Sequence, residues 1–469
     1  METKRYHELV RYQGFEFGNH RMDVTVCVEV RKAYLYTSSG RSLELVGPMT
    51  SSLPPELWLN IMALAVIDDP ESGLFDTKWD YSPDDRMWQG SLQLASTEMT
   101  AQSRRTRCVI TSVSRSWRVM GRRFLYENVR VDLDRAVPSA VITRILERNT
   151  AIVEEVGSDS APTAVSVGWW VKRLVICSSQ IVAGNFDQLL RLLGACFNVK
   201  ILLFSVNDYE PSCLSKLSQI IQARFSHSLR HMSICKRLGF NDSNTLYGFP
   251  DLPNVPLHSL SLTMDFNTTL QWNDALCSGA FASLSMFEIV ITGRTADFTF
   301  PHSRFPSLQY LFVNGLDRDH FELLLPFMKL NGPNLLGVRF ETRHSYLDLS
   351  PFLEHTTSLK QLIMDDTDLV ALSSSSTDHP ICSSVTHIGL VGIDYYRIED
   401  TQRIAKGLDR ILTRRWFSNL QTVRILEPYT PEYLERTWAQ SIAITAKHGV
   451  RLEDYRQTLL SDIHLYPRE

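Results

Sequence analysis

The hexapeptide VKRLVI at residues 171–176 carries the pattern that decides the fold: apolar, two variable, apolar, one variable, apolar. Nine further copies follow: VKILLF at 199–204, LRHMSI at 229–234, LHSLSL at 257–262, LSMFEI at 284–289, LQYLFV at 308–313, LLGVRF at 335–340, LKQLIM at 359–364, VTHIGL at 385–390 and LQTVRI at 420–425. Successive copies begin 28, 30, 28, 27, 24, 27, 24, 26 and 35 residues apart. Any chain of this hydrophobicity contains single copies by chance, but ten copies at nearly constant spacing indicate a structural repeat.

Each copy predicts a short strand whose apolar residues point inward, while the residues between copies return the chain on the outer side. Two of these return segments show the spacing of an amphipathic helix: one has Phe186, Leu189, Leu190, Leu192 and Leu193, and the other has Phe321, Leu324, Leu325 and Met328. We therefore expect an α/β fold, a leucine-rich-repeat solenoid over residues 171–427 with parallel strands on the concave face and helices outside. The rival fold is an α/β domain without repeats.

The flanking segments complete the predicted domain organisation. Residues 1–50 form an N-terminal extension in which the alternating Val24, Val26, Val28 and Val30 predict a small β-hairpin. Residues 131–170 are interpreted as a helix and a linker. Residues 428–469 are predicted to form a C-terminal helical cap, because solenoids need a terminal cover.

Composition limits the classes of partner and the compartment. The net charge of −4 and the pI of about 6.4 provide no global positive field for nucleic acid or an acidic membrane. The eight cysteines include no CxxC pair, which argues against a zinc ribbon and is typical of a reducing compartment. The N-terminus has no apolar segment typical of a signal peptide. We expect an intracellular protein, cytoplasmic or nuclear, without nucleic-acid or membrane partners.

No motif for nucleotide binding, serine hydrolysis or zinc proteolysis occurs, so the sequence predicts no catalytic residue, no cofactor and no metal site. The adjacent Asp365 and Asp366 do not predict an acid/base pair, because neighbouring strand positions point to opposite faces. An enzyme on an unrecognised α/β scaffold remains the alternative from another class.

Two helical segments precede the repeats. LPPELWLNI at 53–61 and VSRSWRVMGRRFLYENV at 113–129 flank a polar insertion at about residues 70–105, and together span a module at 51–130. This pair resembles an F-box, whose opening helix is matched by Leu53, Pro54, Glu56, Leu57 and Ile61 and whose closing helix is matched by Val113, Trp117 and Arg118. The gap between the halves is longer than in a compact F-box. The alternative is that both helices merely cap the repeats.

The whole chain resembles the F-box/leucine-rich-repeat proteins that fungi encode in large numbers. The resemblance implies that the eight matching residues dock a Skp-type adaptor linked to a cullin complex, and that the repeats bind a protein substrate. The expected function is then a substrate-recognition subunit of a cullin-RING (SCF-type) ubiquitin ligase that is not itself an enzyme. A leucine-rich-repeat interaction scaffold without a ubiquitin role is the alternative.

Strand alternation indicates which residues face the substrate. The third and fifth residues of each hexapeptide should point to the concave face. Most are small or polar, but Met286, Tyr310 and Phe312 are large and apolar on adjacent strands, with Glu288 and Arg339 beside them. Aromatic residues with a charged rim are typical of a recognition surface, so these five residues are the predicted substrate-binding site. The alternative is that a long loop or the C-terminal segment covers them.

Overall fold

The computed structural model divides the chain into two compact units, Met1–Ala65 with Val109–Arg122, and Val66–Cys108 with Arg123–Glu469. It describes residues 9–17, 20–29, 32–36, 42–44, 108, 111–112, 121, 123–134, 145, 167–181, 183–209, 211–236, 255–264, 281–291, 300–316, 318–342, 347–374, 382–392, 398–426, 438–454 and 459–460.

The first unit contains a four-stranded antiparallel sheet. Its strands are β1 Leu9–Phe17, β2 His20–Glu29, β3 Lys32–Tyr36 and β4 Ser42–Glu44, paired in chain order. The register of β1 and β2 shifts between Tyr12 and Phe15. Where the sequence predicted a small hairpin, the structure therefore has a four-stranded meander.

The second unit contains a twelve-stranded sheet in which each strand pairs with the next one along the chain, and all pairs are parallel. The strands are β5 Asn128–Asp132, β6 Arg173–Ile181, β7 Ile201–Tyr209, β8 His231–Lys236, β9 Ser259–Met264, β10 Met286–Ile291, β11 Tyr310–Leu316, β12 Gly337–Thr342, β13 Gln361–Asp365, β14 His387–Val391, β15 Thr422–Ile425 and β16 Arg451–Glu453. Each of the ten hexapeptides supplies one strand, which begins two residues after the hexapeptide begins.

Helices return the chain between many of these strands. They are α1 Ala183–Ala195, α2 Pro211–Phe225, α3 Arg318–Asn331, α4 Ser350–Leu353, α5 Asp366–Ser374, α6 Ile398–Thr413 and α7 Ala439–Lys447, with 3₁₀ turns at Val167–Trp170 and Gly332–Asn334. None of the described helices combines the length and the apolar character needed to cross a bilayer.

The main hydrophobic core lies between the sheet and these helices. The first, fourth and sixth residues of the hexapeptides are buried in it, as Val171, Leu174 and Ile176 show at the first repeat. Near β10 the core contains a group of phenylalanines whose ring centroids lie 5.8–6.1 Å apart, a separation at which tilted aromatic pairs attract each other. Its members are Phe281, Phe287, Phe300, Phe305 and Phe327.

A backbone hydrogen-bond ladder fixes the start of every repeat. The carbonyl of Lys172, the residue before β6, accepts the N–H groups of Lys200 at 2.7 Å and Ile201 at 3.0 Å. The same two-donor arrangement recurs at the carbonyls of Lys200, Arg230, His258, Ser285, Gln309, Leu336, Lys360 and Thr386. Each of these carbonyls uses both lone pairs on the next repeat, so the register of one strand determines the register of its neighbour.

The C-terminal region differs from its prediction as a purely helical cap. Helix α7 lies there and ends before Gly449, whose φ of +71° suits the residue that follows a helix. The chain then adds β16, which pairs with β15 as a twelfth parallel strand. Its sequence lacks the full hexapeptide pattern, so the repeat spacing does not predict this strand.

Asn331, the last residue of α3, joins this helix to the turn that precedes β11. Its buried side chain accepts the N–H of Phe305 at 2.7 Å and donates to the carbonyls of Ser303 and Phe327, both at 3.2 Å. These bonds satisfy backbone groups that the helix end and the turn would otherwise leave without partners.

We expect Asn331→Ala to lower the free energy of unfolding by about 1–3 kcal/mol, because it leaves buried backbone groups without hydrogen bonds. Asn334→Ala is the matched control, since Asn334 is partly exposed and a surface change of this kind stays within about 0.5 kcal/mol. Urea unfolding of the two variants measures the difference. Equal stability of both variants would contradict the role given to Asn331.

Candidate functional site

The side of the parallel sheet opposite the helices is the candidate site, and we call it the open face. Two rows of side chains cross it, aligned by the strand register. The first row is Arg173, Ile201, His231, Ser259, Met286, Tyr310, Gly337, Gln361, His387, Thr422 and Arg451. The second row is Val175, Leu203, Ser233, Ser261, Glu288, Phe312, Arg339, Ile363, Gly389, Arg424 and Glu453. From β6 to β15 these are the third and fifth residues of the hexapeptides.

The five predicted substrate-binding residues come together on three adjacent strands. Met286 and Glu288 lie on β10, Tyr310 and Phe312 on β11, and Arg339 on β12. Their exposed fractions are 2%, 1%, 5%, 1% and 6% in that order, so none offers a surface to a partner. The expectation of an exposed aromatic patch is therefore wrong. The alternative, that a long loop or the C-terminal segment covers these side chains, stays a prediction.

A second apolar cluster explains part of this burial. Met286 and Tyr310 pack with Ile363 and Val391, and the partly buried Leu336 and Leu426 lie against them. This cluster is separate from the main core, because the sheet lies between the two. The open face is thus packed on its own side over β10–β14.

Arg339 is held by two neighbours. Its Nε donates to Glu341 Oε1 at 2.7 Å, its Nη2 donates to the same oxygen, and its guanidinium carbon lies 4.8 Å from the centre of the Phe312 ring. The other oxygen of Glu341 accepts the Asn314 amide. A buried guanidinium is stabilised by an ion pair and an aromatic ring together. Arg339 therefore serves packing here, and its charge is already matched.

Two aspartates form a buried pair at the carboxyl end of β13. The N–H and hydroxyl of Thr342 donate to Asp365 Oδ2, and the hydroxyl of Thr342 and the N–H of Leu347 lie 3.2 Å from Asp368 Oδ1. A β-carbon at Gly392, whose φ is +73°, would lie 2.5 Å from Asp365 Oδ1. The pair thus joins the ends of β12, β13 and β14.

Burial raises the pKa of Asp365 to about 7 and that of Asp368 to about 8. The hydrogen bonds from Thr342 and Leu347 oppose this rise, while the neighbouring carboxylates add to it, Glu341 acting on Asp365 and Asp366 acting on both. Like charges in a dry site cannot ionise together at low cost. The pair therefore keeps protons at a pH where an exposed aspartate has lost them.

The pair was not found from the sequence. The sequence shows Asp365 beside Asp366, whereas the structure brings Asp365 to Asp368 across the junction of β13 and α5. Three-residue spacing at a helix start was the available signal, since residues i and i+3 are neighbours on a helix.

The last strands carry a charged network. Arg424 donates from Nε at 3.2 Å and from Nη2 at 2.9 Å to Glu453 Oε2, and both residues are buried. Arg451 Nη2 lies 3.7 Å from Glu453 Oε1 and donates to Thr422 Oγ1 at 3.1 Å. Burial and the charge of Arg424 lower the pKa of His387, which lies next to Thr422 in the first row. This end of the face holds its charges in internal pairs.

Partly exposed apolar side chains occur at the other end. Val175 and Leu203 are register partners on β6 and β7, and each keeps part of its surface accessible. Cys177 and Ser205 continue the same two strands with similar exposure. This end of the open face, and not the aromatic group on β10–β12, offers apolar contact surface to a partner.

The predicted adaptor-binding residues, Leu53, Pro54, Glu56, Leu57, Ile61, Val113, Trp117 and Arg118, lie outside the described residues. Within the part of the chain that the structure describes, no group of three or more His, Cys, Asp or Glu side chains is arranged to hold a metal ion.

No family model matches the chain, and no curated protein matches it with significance.

Phe312→Ala tests the burial of the aromatic group. It should lower the free energy of unfolding by about 3–5 kcal/mol, the usual cost of removing a buried phenylalanine ring. Leu203→Ala, on the partly exposed end of the same face, should cost clearly less, about 1 kcal/mol. Chemical unfolding of both variants gives the comparison. A Phe312→Ala protein as stable as the parent would place this ring at an exposed surface.

The aspartate pair predicts a pH dependence of stability. A carboxyl whose pKa is higher in the folded state than in the unfolded state binds its proton more tightly when folded, so stability falls as pH rises. The free energy of unfolding should begin to fall near pH 4, where aspartates of the unfolded chain titrate. The fall should end near pH 8, the pKa of Asp368 in the folded protein. The slope is the change of the free energy of unfolding with pH. Asp368→Asn should reduce this slope by up to about 1.4 kcal/mol per pH unit.

Urea unfolding at pH 5, 6, 7 and 8 measures the slope for the parent and for Asp368→Asn. Asp187→Asn is the control, because Asp187 is exposed on α1. An unchanged slope in Asp368→Asn would show that Asp368 does not hold an extra proton in the folded state.

Proposed function

We propose that the chain is an F-box/leucine-rich-repeat protein, the substrate-recognition subunit of a cullin-RING (SCF-type) ubiquitin ligase. The observation that supports this most is the correspondence of ten hexapeptides with ten parallel strands in chain order, at spacings of 24–35 residues. One strand per repeat, with a helical or irregular return on one side, is the arrangement of leucine-rich repeats. Proteins of this construction use the side opposite the helices as a binding surface.

The ubiquitin role rests on the F-box-like pair of segments, LPPELWLNI and VSRSWRVMGRRFLYENV. In this proposal Leu53, Pro54, Leu57 and Trp117 are the apolar anchors for a Skp-type adaptor, because a few aliphatic and aromatic side chains dominate most interfaces. The adaptor links the chain to a cullin, and the protein itself makes and breaks no covalent bond.

Substrate contact on the open face is best assigned to the end at β6 and β7. Val175 and Leu203 are adjacent, apolar and partly exposed, whereas Tyr310 and Phe312 are buried. An apolar contact needs accessible surface before binding, since the hydrophobic contribution scales with the area removed from water.

The adaptor arm is tested by Leu53→Ala combined with Pro54→Ala. We expect capture of a purified Skp-type adaptor in a pull-down to fall about tenfold or more, because both side chains are proposed anchors of the interface. Ser91→Ala with Gln93→Ala, inside the polar insertion, should capture the adaptor as the parent does. Circular dichroism of each variant confirms folding of the repeats. Undiminished capture by the Leu53/Pro54 variant would leave a repeat scaffold without a ubiquitin role as the better function.

A further inference from the structure

A row of basic residues lies at the amino-terminal edge of the first repeats, and we call it the cationic edge. It consists of Lys172, Lys200, Arg230 and His258, the residues immediately before β6, β7, β8 and β9. His258 is exposed and the other three are partly exposed. The equivalent position before β5 is Glu127, and the equivalent position before β10 is Ser285. The run of basic residues is therefore bounded by these two residues.

The backbone aligns these four side chains. The carbonyl of each accepts two N–H groups of the next repeat at 2.7–3.1 Å, so the four residues have equivalent positions in the ladder. Neighbouring parallel strands are about 4.8 Å apart, which gives a row of about 14 Å from the first residue to the fourth. Four basic groups therefore follow one line along the edge of the sheet.

Exposed aromatic residues lie close in sequence to two members of this row. Trp169 lies three residues before Lys172, and Phe197 lies three residues before Lys200. Three residues of extended chain separate two Cα atoms by at most about 11 Å. Trp169 is 53% exposed and Phe197 is 40% exposed, and among the described residues only one other large apolar side chain, Leu330, is as open to solvent. Exposed aromatic residues next to cations have the composition of a binding surface.

Close backbone packing brings together the two segments that carry these aromatic residues. Gly168 lies so near the end of α1 that a β-carbon there would overlap the carbonyl oxygen of Ala195 and approach the nitrogen of Cys196 to 3.3 Å. Trp169 follows Gly168, and Phe197 follows Cys196. The guanidinium carbon of Arg224, at the end of α2, lies 5.5 Å from the centre of the Phe197 ring and adds a further cation.

The charges of the row are only partly matched within the described residues. Lys172 Nζ forms an ion pair with Glu127 Oε1 at 2.9 Å, which shows that a carboxylate fits beside the row. Lys200 and Arg230 form no ion pair with any side chain that the structure describes. Arg230 instead donates to the carbonyls of Leu229 and His227 at 3.3 Å, which keeps its guanidinium at the edge.

We propose that the cationic edge binds an acidic segment of a partner protein, with carboxylates on Lys200 and Arg230 and an apolar side chain on Trp169 and Phe197. An extended peptide places alternate side chains about 6.8 Å apart, so three carboxylates on one side cover about the length of the row. The net charge of −4 disfavours a nucleic acid as the ligand. The proposed binding at this edge does not depend on the proposed ubiquitin role.

The probe is a fluorescein-labelled twelve-residue Gly/Ser peptide with glutamates at three alternate positions and a leucine on either side of them. Fluorescence anisotropy with the full chain should show saturable binding that weakens from 50 to 300 mM NaCl, since exposed charges are screened by salt. Lys200→Glu with Arg230→Glu should weaken binding about tenfold or more, and Trp169→Ala with Phe197→Ala should weaken it several-fold.

Two control variants lie elsewhere in the same repeats. Lys360→Glu changes a cation at the equivalent position before β13, where the neighbouring residues in the row are Leu336 and Thr386. Leu330→Ala removes the third exposed apolar side chain. Both should bind the peptide as the parent does, and thermal unfolding of all variants should show the parent's midpoint, because the substituted side chains are at least partly exposed.

Four results would overturn the proposal. They are an absence of peptide binding by the parent, equal binding by the Lys200/Arg230 variant, equal binding of a peptide with glutamines in place of the glutamates, and tighter binding of a twelve-nucleotide oligothymidine than of the peptide. The last result would assign the edge to nucleic acid.

Discussion

The described parallel sheet depends on one recurring interaction, the backbone carbonyl before each strand that accepts two N–H groups of the next repeat. Nine such carbonyls follow one another from Lys172 to Thr386. Because each carbonyl is shared between two donors, a strand cannot slip relative to its neighbour without losing both bonds. The apolar residues at the first, fourth and sixth positions then all point to the helices, and their burial stabilises the register that the ladder defines.

That register also places side chains on the open face. Residues that are unremarkable in sequence become neighbours, as Phe312 and Arg339 do across β11 and β12. The apolar cluster that includes Tyr310 and Ile363 gives this part of the sheet a second packed side. A parallel sheet covered on both faces is the usual environment for such strands, and it accounts for buried large residues at positions that alternation assigns away from the helices.

The strands were predictable because their signal is local. Three apolar positions in six residues, repeated at near-constant spacing, determine both the strand and the side that it buries. The exposure of Tyr310 was not predictable, because it depends on packing against residues distant in sequence. The pairing of Asp365 with Asp368 was not predictable, because it forms where a strand turns into a helix. Strand β16 was not predictable either, because three residues are too few to show a period. The predicted adaptor-binding residues, Leu53 among them, lie outside the described residues.

The ladder leaves the second position of each hexapeptide free to vary, because that position contributes only its backbone to the register. Folding therefore accepts serine, glutamine, leucine or threonine there, and the later repeats use all of them. A basic residue in each of the first four repeats, from Lys172 to His258, is not required by the fold. Clustered cations repel one another. The ion pair of Lys172 with Glu127 offsets part of that repulsion, but Lys200 and Arg230 form no ion pair with any side chain that the structure describes. The placement of these residues beside Trp169 and Phe197 is therefore better explained by a ligand than by stability.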